Sequence, residues 1–407
     1  MFAKNLFRLL LVLLLMSAFL SGCGGDDSSD DDDNDDSTIA DDDSFDDDSA
    51  DNDSGDDDND TGIDDDTIDD DSIDDDTFDD DTGDDDTWSP PSPVYAYYER
   101  APGLGWSWQI EQLPTLAEYD FTIVLGVDES QTGSEDLAAY LRAAEDAGVN
   151  VRLWFLVDRD EGLYANDTNA DYYAERMLEF AEWLVEEDFA VDWLVVDMEM
   201  DVGKMYYLLD LFQQGQYLLA LLELLGNIDP EQFAYASSVY QQMVDDLHDM
   251  GFYVMNVTAP LALDDLADED TTIQDIMDIP ATTVEWDEFS TMVYSSEWVE
   301  NFGLPFGSYL VYSYGKMTVE YYPNIASIAV GIPGLGVMNE PADLAADIAA
   351  AKAAGIDRIQ VFAYARVAGL PDPDAWHETF ATDPAVPLPD GATNLLHFLL
   401  KIADGLL

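Results

Sequence analysis

Cysteine is almost absent from this chain, since the 407 residues contain a single one, Cys23. One cysteine excludes an internal disulfide and a cysteine-rich metal site, so an apolar core must hold the fold together. Histidine is nearly as scarce, with three in the chain. His248 falls in a helical pattern, and His377 and His397 lie near the C-terminus, so no histidine follows a strand-like run. We therefore expect neither a zinc site nor any other metal or cofactor.

Positive charge is also scarce, with 13 Lys and Arg against 90 Asp and Glu and a net charge of −77. This balance argues against nucleic acid and anionic membrane as partners. Residues 26–86 hold Asp but no Glu, Lys or Arg, and too few apolar residues to build a core. We predict a disordered, self-repelling Asp-rich tether over residues 23–92. Calcium binding by the tether is the alternative. It is disfavoured because the tether lacks the bidentate Glu of an EF-hand loop.

The N-terminus has the layout of a signal peptide over residues 1–22. Lys4 and Arg8 precede an apolar run from Leu9 to Leu20, which is too short for a comfortable transmembrane helix. Leu20-Ser21-Gly22-Cys23 then resembles the lipobox at which bacterial lipoproteins are cleaved and acylated on cysteine. The resemblance implies an exported protein anchored to the membrane through Cys23, and Gly24 favours the outer membrane or cell surface. An ordinary secretory signal is the alternative.

The remaining residues, 93–407, alternate between strand-like apolar runs and helical patterns. The runs are Val94–Tyr98, Phe121–Val127, Val149–Val157, Val191–Glu199, Phe252–Thr258, Phe289–Tyr294, Ala326–Ile332 and Arg358–Ala365. The helical patterns are Glu135–Ala147, Ala170–Glu186, Met205–Leu225, Pro230–Met250, Leu261–Met277 and Pro341–Ala354. Eight buried strands alternating with helices predict an α/β fold with one closed (β/α)8 barrel. An open doubly wound sheet is the alternative, but no clear helix start follows the Gly-containing segment 99–105, as a phosphate-binding turn would require.

The residues that end the strands of such a barrel converge on its C-terminal mouth, where active sites of this fold lie. Asp197 and Glu199 interrupt the apolar run of the fourth strand and share one face with Trp193 and Val195. Neighbouring carboxylates at i and i+2 raise or orient each other, which suits a general acid that stays protonated near neutral pH. Acids that only cap strand ends are the structural alternative. We interpret Asp197 and Glu199 as catalytic residues.

Several other residues follow or end strands and are predicted to bind substrate. Glu99, Asp158 and Asn256 supply polar groups at the ends of the first, third and fifth strands, and Trp154 and Tyr364 supply aromatic faces on which sugar rings stack. The Tyr- and Gly-rich stretch from Trp298 to Pro323 shows no regular pattern. We predict it to be an irregular loop that shapes the substrate site.

Three of these segments resemble family 18 glycoside hydrolases, the chitinase-like barrels. Segment Asp192–Glu199 resembles the family's fourth-strand Asp-x-x-Asp-x-Asp-x-Glu, Met292-Val293-Tyr294 its Met-x-Tyr, and Gly331–Gly336 its seventh-strand Gly-x-Pro-x-Tyr-Gly. The resemblance implies that Glu199 is the proton donor, Asp197 its partner and Tyr294 a ligand of a substrate carbonyl. It also implies that a 2-acetamido group of the sugar acts as nucleophile. Without that group a second carboxylate is required, and Glu99 and Asp158 are the residues that we predict for it.

The chain departs from the family pattern at Val195 and Ser295, where the family has Asp, and at Tyr364, near an expected Trp. An Asp-x-Glu at the end of strand four also occurs in family 25 lysozyme-like barrels, so the wider resemblance is to carbohydrate-active barrels. Our leading interpretation is a surface-anchored glycoside hydrolase that cleaves a carbohydrate polymer. The alternatives are a non-catalytic carbohydrate-binding barrel and a hydrolase that holds Mg²⁺ or Ca²⁺ on clustered carboxylates.

Overall fold

The computed structural model describes residues 94–100, 105–267, 270–302 and 305–404. The predicted signal peptide, Cys23 and the Asp-rich tether lie outside these residues, so these three predictions stay predictions. No helix within the described ranges is long and apolar enough to span a membrane.

Eight parallel strands close into a barrel in sequence order. They are β1 (Val94–Arg100), β2 (Thr122–Asp128), β3 (Val151–Leu156), β4 (Trp193–Met198), β5 (Tyr253–Thr258), β6 (Glu288–Val293), β7 (Ala326–Gly331) and β8 (Arg358–Phe362). The last strand pairs with the first, with Val94 opposite Arg358 and Tyr98 opposite Phe362. This pairing confirms the predicted (β/α)8 barrel and excludes an open sheet.

Helices surround the barrel and join its strands. They are α1 (Trp106–Glu118), α2 (Glu135–Ala147), α3 (Ala170–Glu186), α4 (Val202–Gln213), α5 (Tyr217–Leu225), α6 (Pro230–Asp249), α7 (Ala262–Leu266), α8 (Thr272–Ile276), α9 (Ser295–Phe302), α10 (Ser308–Tyr321), α11 (Pro341–Ala354), α12 (Tyr364–Ala368), α13 (Pro373–His377) and α14 (Gly391–Asp404). Helices α2, α3 and α11 have the predicted bounds. The Ser134 hydroxyl accepts a hydrogen bond from the backbone N–H of Leu137, and left-handed Gly148 ends α2.

Four connections differ from the sequence predictions. The segment after β1 forms α1 without a side-chain N-cap and with Pro114 inside the helix, because Leu113 and Leu116 pack on the barrel. The predicted helix 205–225 breaks at Gly215, whose φ is +71°. The predicted helix 261–277 is instead the two short helices α7 and α8.

The stretch from Trp298 to Pro323 is the fourth difference, since it contains the end of α9 and all of α10 rather than an irregular loop. Aromatic and β-branched residues weaken its intrinsic helical preference. Burial of Leu310, Val311 and Tyr314 against the barrel overrides that preference. Gly315 allows the close contact with α11, since a Cβ there would lie 2.9 Å from the Ala354 Cβ.

The strands carry apolar side chains on both faces. Outward-facing residues pack under the helices, and inward-facing residues, among them Tyr98, Trp154, Val195 and Met255, fill the barrel. A charged pair lies within this filling. The Arg152 guanidinium donates to the Glu288 carboxylate over 2.9 Å, and both side chains are almost completely buried. Arg152 also lies over the Trp193 ring at 4.3 Å.

Candidate active site

The end of β4 places two carboxyl groups in the barrel mouth. Trp193 and Val195 point into the barrel, and Asp197, two residues further along the strand, has the same orientation. A residue of the β3–α3 connection extends the strand beyond Met198. Ala165 donates its N–H to the Asp197 carbonyl over 2.9 Å and accepts from the Glu199 N–H over 3.1 Å. These two backbone hydrogen bonds hold Glu199 next to Asp197.

The carboxyl groups of Asp197 and Glu199 are hydrogen bonded to each other and are 3% and 5% exposed. Burial raises the pKa of Asp197 well above its usual range, and the neighbouring Glu199 raises it further. Burial raises the pKa of Glu199 to about 7, although the hydrogen bond with Asp197 lowers it. Two interacting carboxyls titrate as a unit, so the pair retains at least one proton near neutral pH.

Aromatic rings surround this pair. Trp154 stands edge-on to Tyr98 with ring centroids 5.8 Å apart, and Phe362 lies 6.3 Å from Tyr98 and 5.9 Å from Tyr294. Trp154 lies against β2 because residue 126 is glycine, since a Cβ there would come within 2.8 Å of the indole ring. The Trp154 indole lowers the pKa of Asp197, although its Nε1 has no hydrogen-bond partner among the described residues. The site therefore combines two carboxyls with an aromatic wall.

A third carboxyl, Glu297, belongs to this group and was not predicted from the sequence. It lies in the first turn of α9, three residues beyond Tyr294, and is 2% exposed. Its Oε1 has no hydrogen-bond partner among the described residues. Burial raises the pKa of Glu297 to about 8, and the charge of Glu199 contributes to the increase. A weaker signal was available in the sequence, because Glu297 follows the end of the predicted sixth strand by three residues.

Four predicted substrate-binding residues lie apart from this cluster. Glu99 faces outward on β1 and accepts hydrogen bonds from the N–H groups of Arg100 and Ala365 at 3.0 and 2.6 Å. Asp158 is exposed and accepts from the Asp160 N–H over 2.8 Å, which caps a short turn.

Asn256 and Tyr364 also lie between the barrel and its helices. Asn256 is fully buried on the outer face of β5, level with outward-facing Val196 and Phe289. Tyr364 stacks on His377 with ring centroids 5.9 Å apart. The eighth-strand ring that reaches the mouth is Phe362. Of the predicted site residues, the structure brings together Asp197, Glu199, Tyr294 and Trp154.

A polar network underlies the cluster inside the barrel. Glu288, paired with Arg152, also accepts a hydrogen bond from the Gln360 amide at 3.1 Å, and Gln360 in turn accepts from the Ser290 hydroxyl at 3.1 Å. Tyr98 lies between this network and Asp197, since both Asp197 and Glu288 act on its hydroxyl and raise its pKa beyond the effect of burial. The carboxyls of Asp197 and Glu199 therefore lie above a charged, hydrogen-bonded network in the barrel interior.

Neither a family model nor a curated protein matches this chain. Solved structures with a similar fold include the PgaB glycoside hydrolase domain from Bordetella bronchiseptica, at 11% identity and a TM-score of 0.45, with 71% of this chain and 99% of that one covered. A D-allulose 3-epimerase from Methylomonas sp. in complex with D-allulose has 11% identity and a TM-score of 0.42, with 78% and 98% covered. At this identity the likeness concerns the barrel architecture alone.

Within residues 94–100, 105–267, 270–302 and 305–404, no three His, Cys, Asp or Glu side chains are placed to hold a metal ion.

Buried carboxyls make the stability of the barrel dependent on pH. The pKa values of Glu99, Glu199 and Asp265 are raised to about 7 and that of Glu297 to about 8, in each case mainly by burial. The native state therefore holds protons that the unfolded chain releases near pH 4, and stability falls as the pH rises from there to about 8. We expect the melting temperature to be about 10 °C lower at pH 8 than at pH 5.5.

Thermal unfolding followed by circular dichroism in 0.3 M salt would measure this difference, since salt screens the repulsion between surface charges. The Glu297→Gln variant is the internal comparison. Because it removes one of the buried titrating groups, its melting temperature should depend less on pH than that of the parent. An equal or higher melting temperature at pH 8 would contradict the interpretation.

Proposed function

We propose that this barrel is a glycoside hydrolase that cleaves a carbohydrate polymer, with Glu199 as the general acid. The observation that carries the proposal is the buried, hydrogen-bonded pair of Asp197 and Glu199 at the C-terminal end of β4. A general acid works best when its pKa lies near the operating pH, and burial raises the pKa of Glu199 to about 7. Buried carboxyls are unfavourable to the fold, so a structural role alone gives no reason for two of them here.

The proton would move from Glu199 to the glycosidic oxygen as the bond to the anomeric carbon breaks. Asp197 keeps the Glu199 carboxyl in one orientation through their shared hydrogen bond, and the negative charge that the pair carries once Glu199 has given up its proton stabilises the positive charge that develops on the sugar ring. Trp154, Phe362 and Tyr294 supply flat faces for sugar rings beside the acid. Tyr294 also carries a hydroxyl able to donate to a substrate carbonyl.

A second carboxylate is needed if the sugar lacks a 2-acetamido group. Glu99 faces outward and Asp158 is exposed on a turn, whereas Glu199 is close enough to Glu297 for its charge to raise the pKa of Glu297. We therefore propose Glu297 for the role that we predicted from the sequence for Glu99 or Asp158. Substrate binding that draws water and hydroxyl groups to Glu297 would favour its ionised form, as a nucleophile or base requires.

A non-catalytic carbohydrate-binding barrel is the second candidate. It is favoured by the low exposure of the carboxyls, since Asp197, Glu199 and Glu297 are all 5% exposed or less. Such a protein would keep the aromatic wall and would bind sugars without cleaving them.

Release of reducing ends from a panel of polysaccharides that includes chitin and peptidoglycan separates the two candidates. We expect the purified protein to release reducing ends from at least one polymer. Sugar binding by calorimetry with no release from any polymer would instead establish the binding barrel. If the protein neither binds nor cleaves any polymer of the panel, both candidate functions are contradicted.

We also propose that the protein is exported and held at the outer membrane or cell surface through a lipid on Cys23, with the Asp-rich segment as tether. The N-terminal sequence pattern supports this location. Incorporation of a labelled fatty acid that persists in the Cys23→Ser variant would contradict it.

A further inference from the structure

A serine, a histidine and an aspartate from three different helices form a hydrogen-bonded chain outside the barrel mouth. The Ser313 hydroxyl on α10 lies 2.8 Å from Nε2 of His397 on α14. Nδ1 of the same imidazole lies 3.2 Å from Oδ1 of Asp264 on α7. The three helices pack against one another, and none of these residues belongs to the group around Glu199. The arrangement has the order of a nucleophile, a base and a residue that orients the base.

The hydrogen bonds select the tautomer that a base requires. An ionised Asp264 has no proton to donate, so Nδ1 of the neutral imidazole carries the proton and donates it to the carboxylate. Nε2 is then left as the acceptor, and the Ser313 hydroxyl is its donor. Tyr314 donates its hydroxyl to the other oxygen of Asp264 over 2.9 Å, which occupies that side of the carboxylate. The proton of Ser313 therefore points at a nitrogen able to accept it.

The hydrogen-bonded chain of Ser313, His397 and Asp264 is accessible from solvent. Ser313 is half-buried, and the side chains of His397 and Asp264 are 24% and 12% exposed. Lys316 follows Ser313 by three residues on the same helix, which places both on one helical face, and Lys316 is exposed. Within the described residues no hydrogen bond or ion pair engages Lys316. The Lys316 cation therefore lies near the Ser313 hydroxyl, in a protein that has few cations.

We propose that Ser313, His397 and Asp264 form a second nucleophilic site, which cleaves simple carboxylic esters. Ser313 Oγ bonds to the carbonyl carbon as its proton passes to Nε2 of His397, and the imidazolium is held by Asp264. The alcohol leaves with that proton, which gives an acyl-serine. Water then attacks the acyl carbon, gives a proton to Nε2, and releases the acid as the proton returns to Oγ.

Lys316 would stabilise the negative charge that develops on the carbonyl oxygen of the ester. The backbone N–H groups near Ser313 lie inside α10 and take part in its helical hydrogen bonds, so they do not form an oxyanion hole. Turnover is for that reason expected to be slow, and covalent capture of the serine is the more sensitive readout. The site does not depend on the glycoside hydrolase proposal, because it shares no residue with it.

The same hydrogen bonds also tie α14 to α7 and α10, so the experiment must separate reactivity from a structural contact. The full-length protein would be treated with a fluorophosphonate, and the labelled serine would be identified by peptide mass spectrometry. We expect phosphonylation of Ser313 in the folded protein, with a rate at least about 100-fold lower in the His397→Gln variant. Hydrolysis of p-nitrophenyl acetate should fall in parallel and vanish in Ser313→Ala.

Ser238→Ala is the matched control, because Ser238 is an exposed helical serine with no histidine partner among its described hydrogen bonds. That variant should label at Ser313 as the parent does. Circular dichroism would verify that each variant is folded. Absence of label on Ser313 in the folded parent, or equal labelling of the parent and a folded His397→Gln variant, would overturn the proposal and leave a purely structural contact.

Discussion

Replacing Glu199 by Gln should lower kcat on a polysaccharide by about 1,000-fold, because an amide has no proton to give the leaving oxygen. The side chains have nearly the same size, and the backbone N–H of Glu199 keeps its hydrogen bond to Ala165. The fold should therefore be unchanged. The measurement is the initial rate of reducing-end release by the parent and the variant on the polymer that the parent cleaves best.

The choice of leaving group makes this test specific for a proton donor. A glycoside with a dinitrophenol leaving group does not need protonation, so Glu199→Gln should retain its kcat to within about tenfold on that substrate. Glu182→Gln is the matched control, since Glu182 is exposed on α3, and it should behave as the parent. An equal loss on both kinds of substrate would show that Glu199 acts in another way than as the acid.

Replacing Arg152 by Met should lower the free energy of unfolding by about 3–5 kcal/mol, because the substitution leaves the Glu288 carboxylate without its ion-pair partner inside the barrel. Glu288 is fully buried, and after the change only the Gln360 amide would remain as a described hydrogen-bond donor to it. The Trp193 ring would also lose the guanidinium that lies over it. Urea unfolding followed by circular dichroism measures the loss.

Arg142→Met provides the matched control for this prediction. Arg142 pairs with Glu187 at 3.1 Å, but both side chains are about half exposed, so the loss should be below about 1 kcal/mol. The double variant Arg152→Met, Glu288→Leu should recover part of the lost stability, since it removes the unpaired charge. Similar losses for Arg142→Met and Arg152→Met would mean that water reaches the barrel interior and that the pair is not desolvated.

Asp197 and Glu199 were predicted from an alternation that holds in any strand, because residues two apart share a face. The same rule placed Glu99 and Asn256 at strand ends but did not reveal which way they point. In a barrel both faces of a strand are buried and largely apolar, so the sequence does not mark the inner face. The register between strands settles the question, since Glu99 is level with outward-facing Leu125 and Asn256 with Val196.

Glu297 was missed for a different reason. The sequence predicts a sixth strand that ends at Tyr294 and an irregular loop that begins at Trp298, and Glu297 belongs to neither. Packing of α9 and α10 on the barrel turns this segment into helix and buries Glu297 beside Tyr294 and Glu199. The electrostatic effect of Glu199 on Glu297 joins residues almost one hundred positions apart, and no local pattern encodes it.

The sequence alone determined the order of eight strands and several of the helices between them, and with it the closed barrel, because the buried runs and the helix-ending glycines are local features that each segment carries. It also predicted that Asp197 and Glu199 share one face of the fourth strand. Only the tertiary structure decided which strand-end residues share the mouth, that Phe362 rather than Tyr364 reaches it, and that Glu297 is buried beside it. Those outcomes depend on strand register, barrel closure and helix packing, which are set by contacts between segments far apart in the chain.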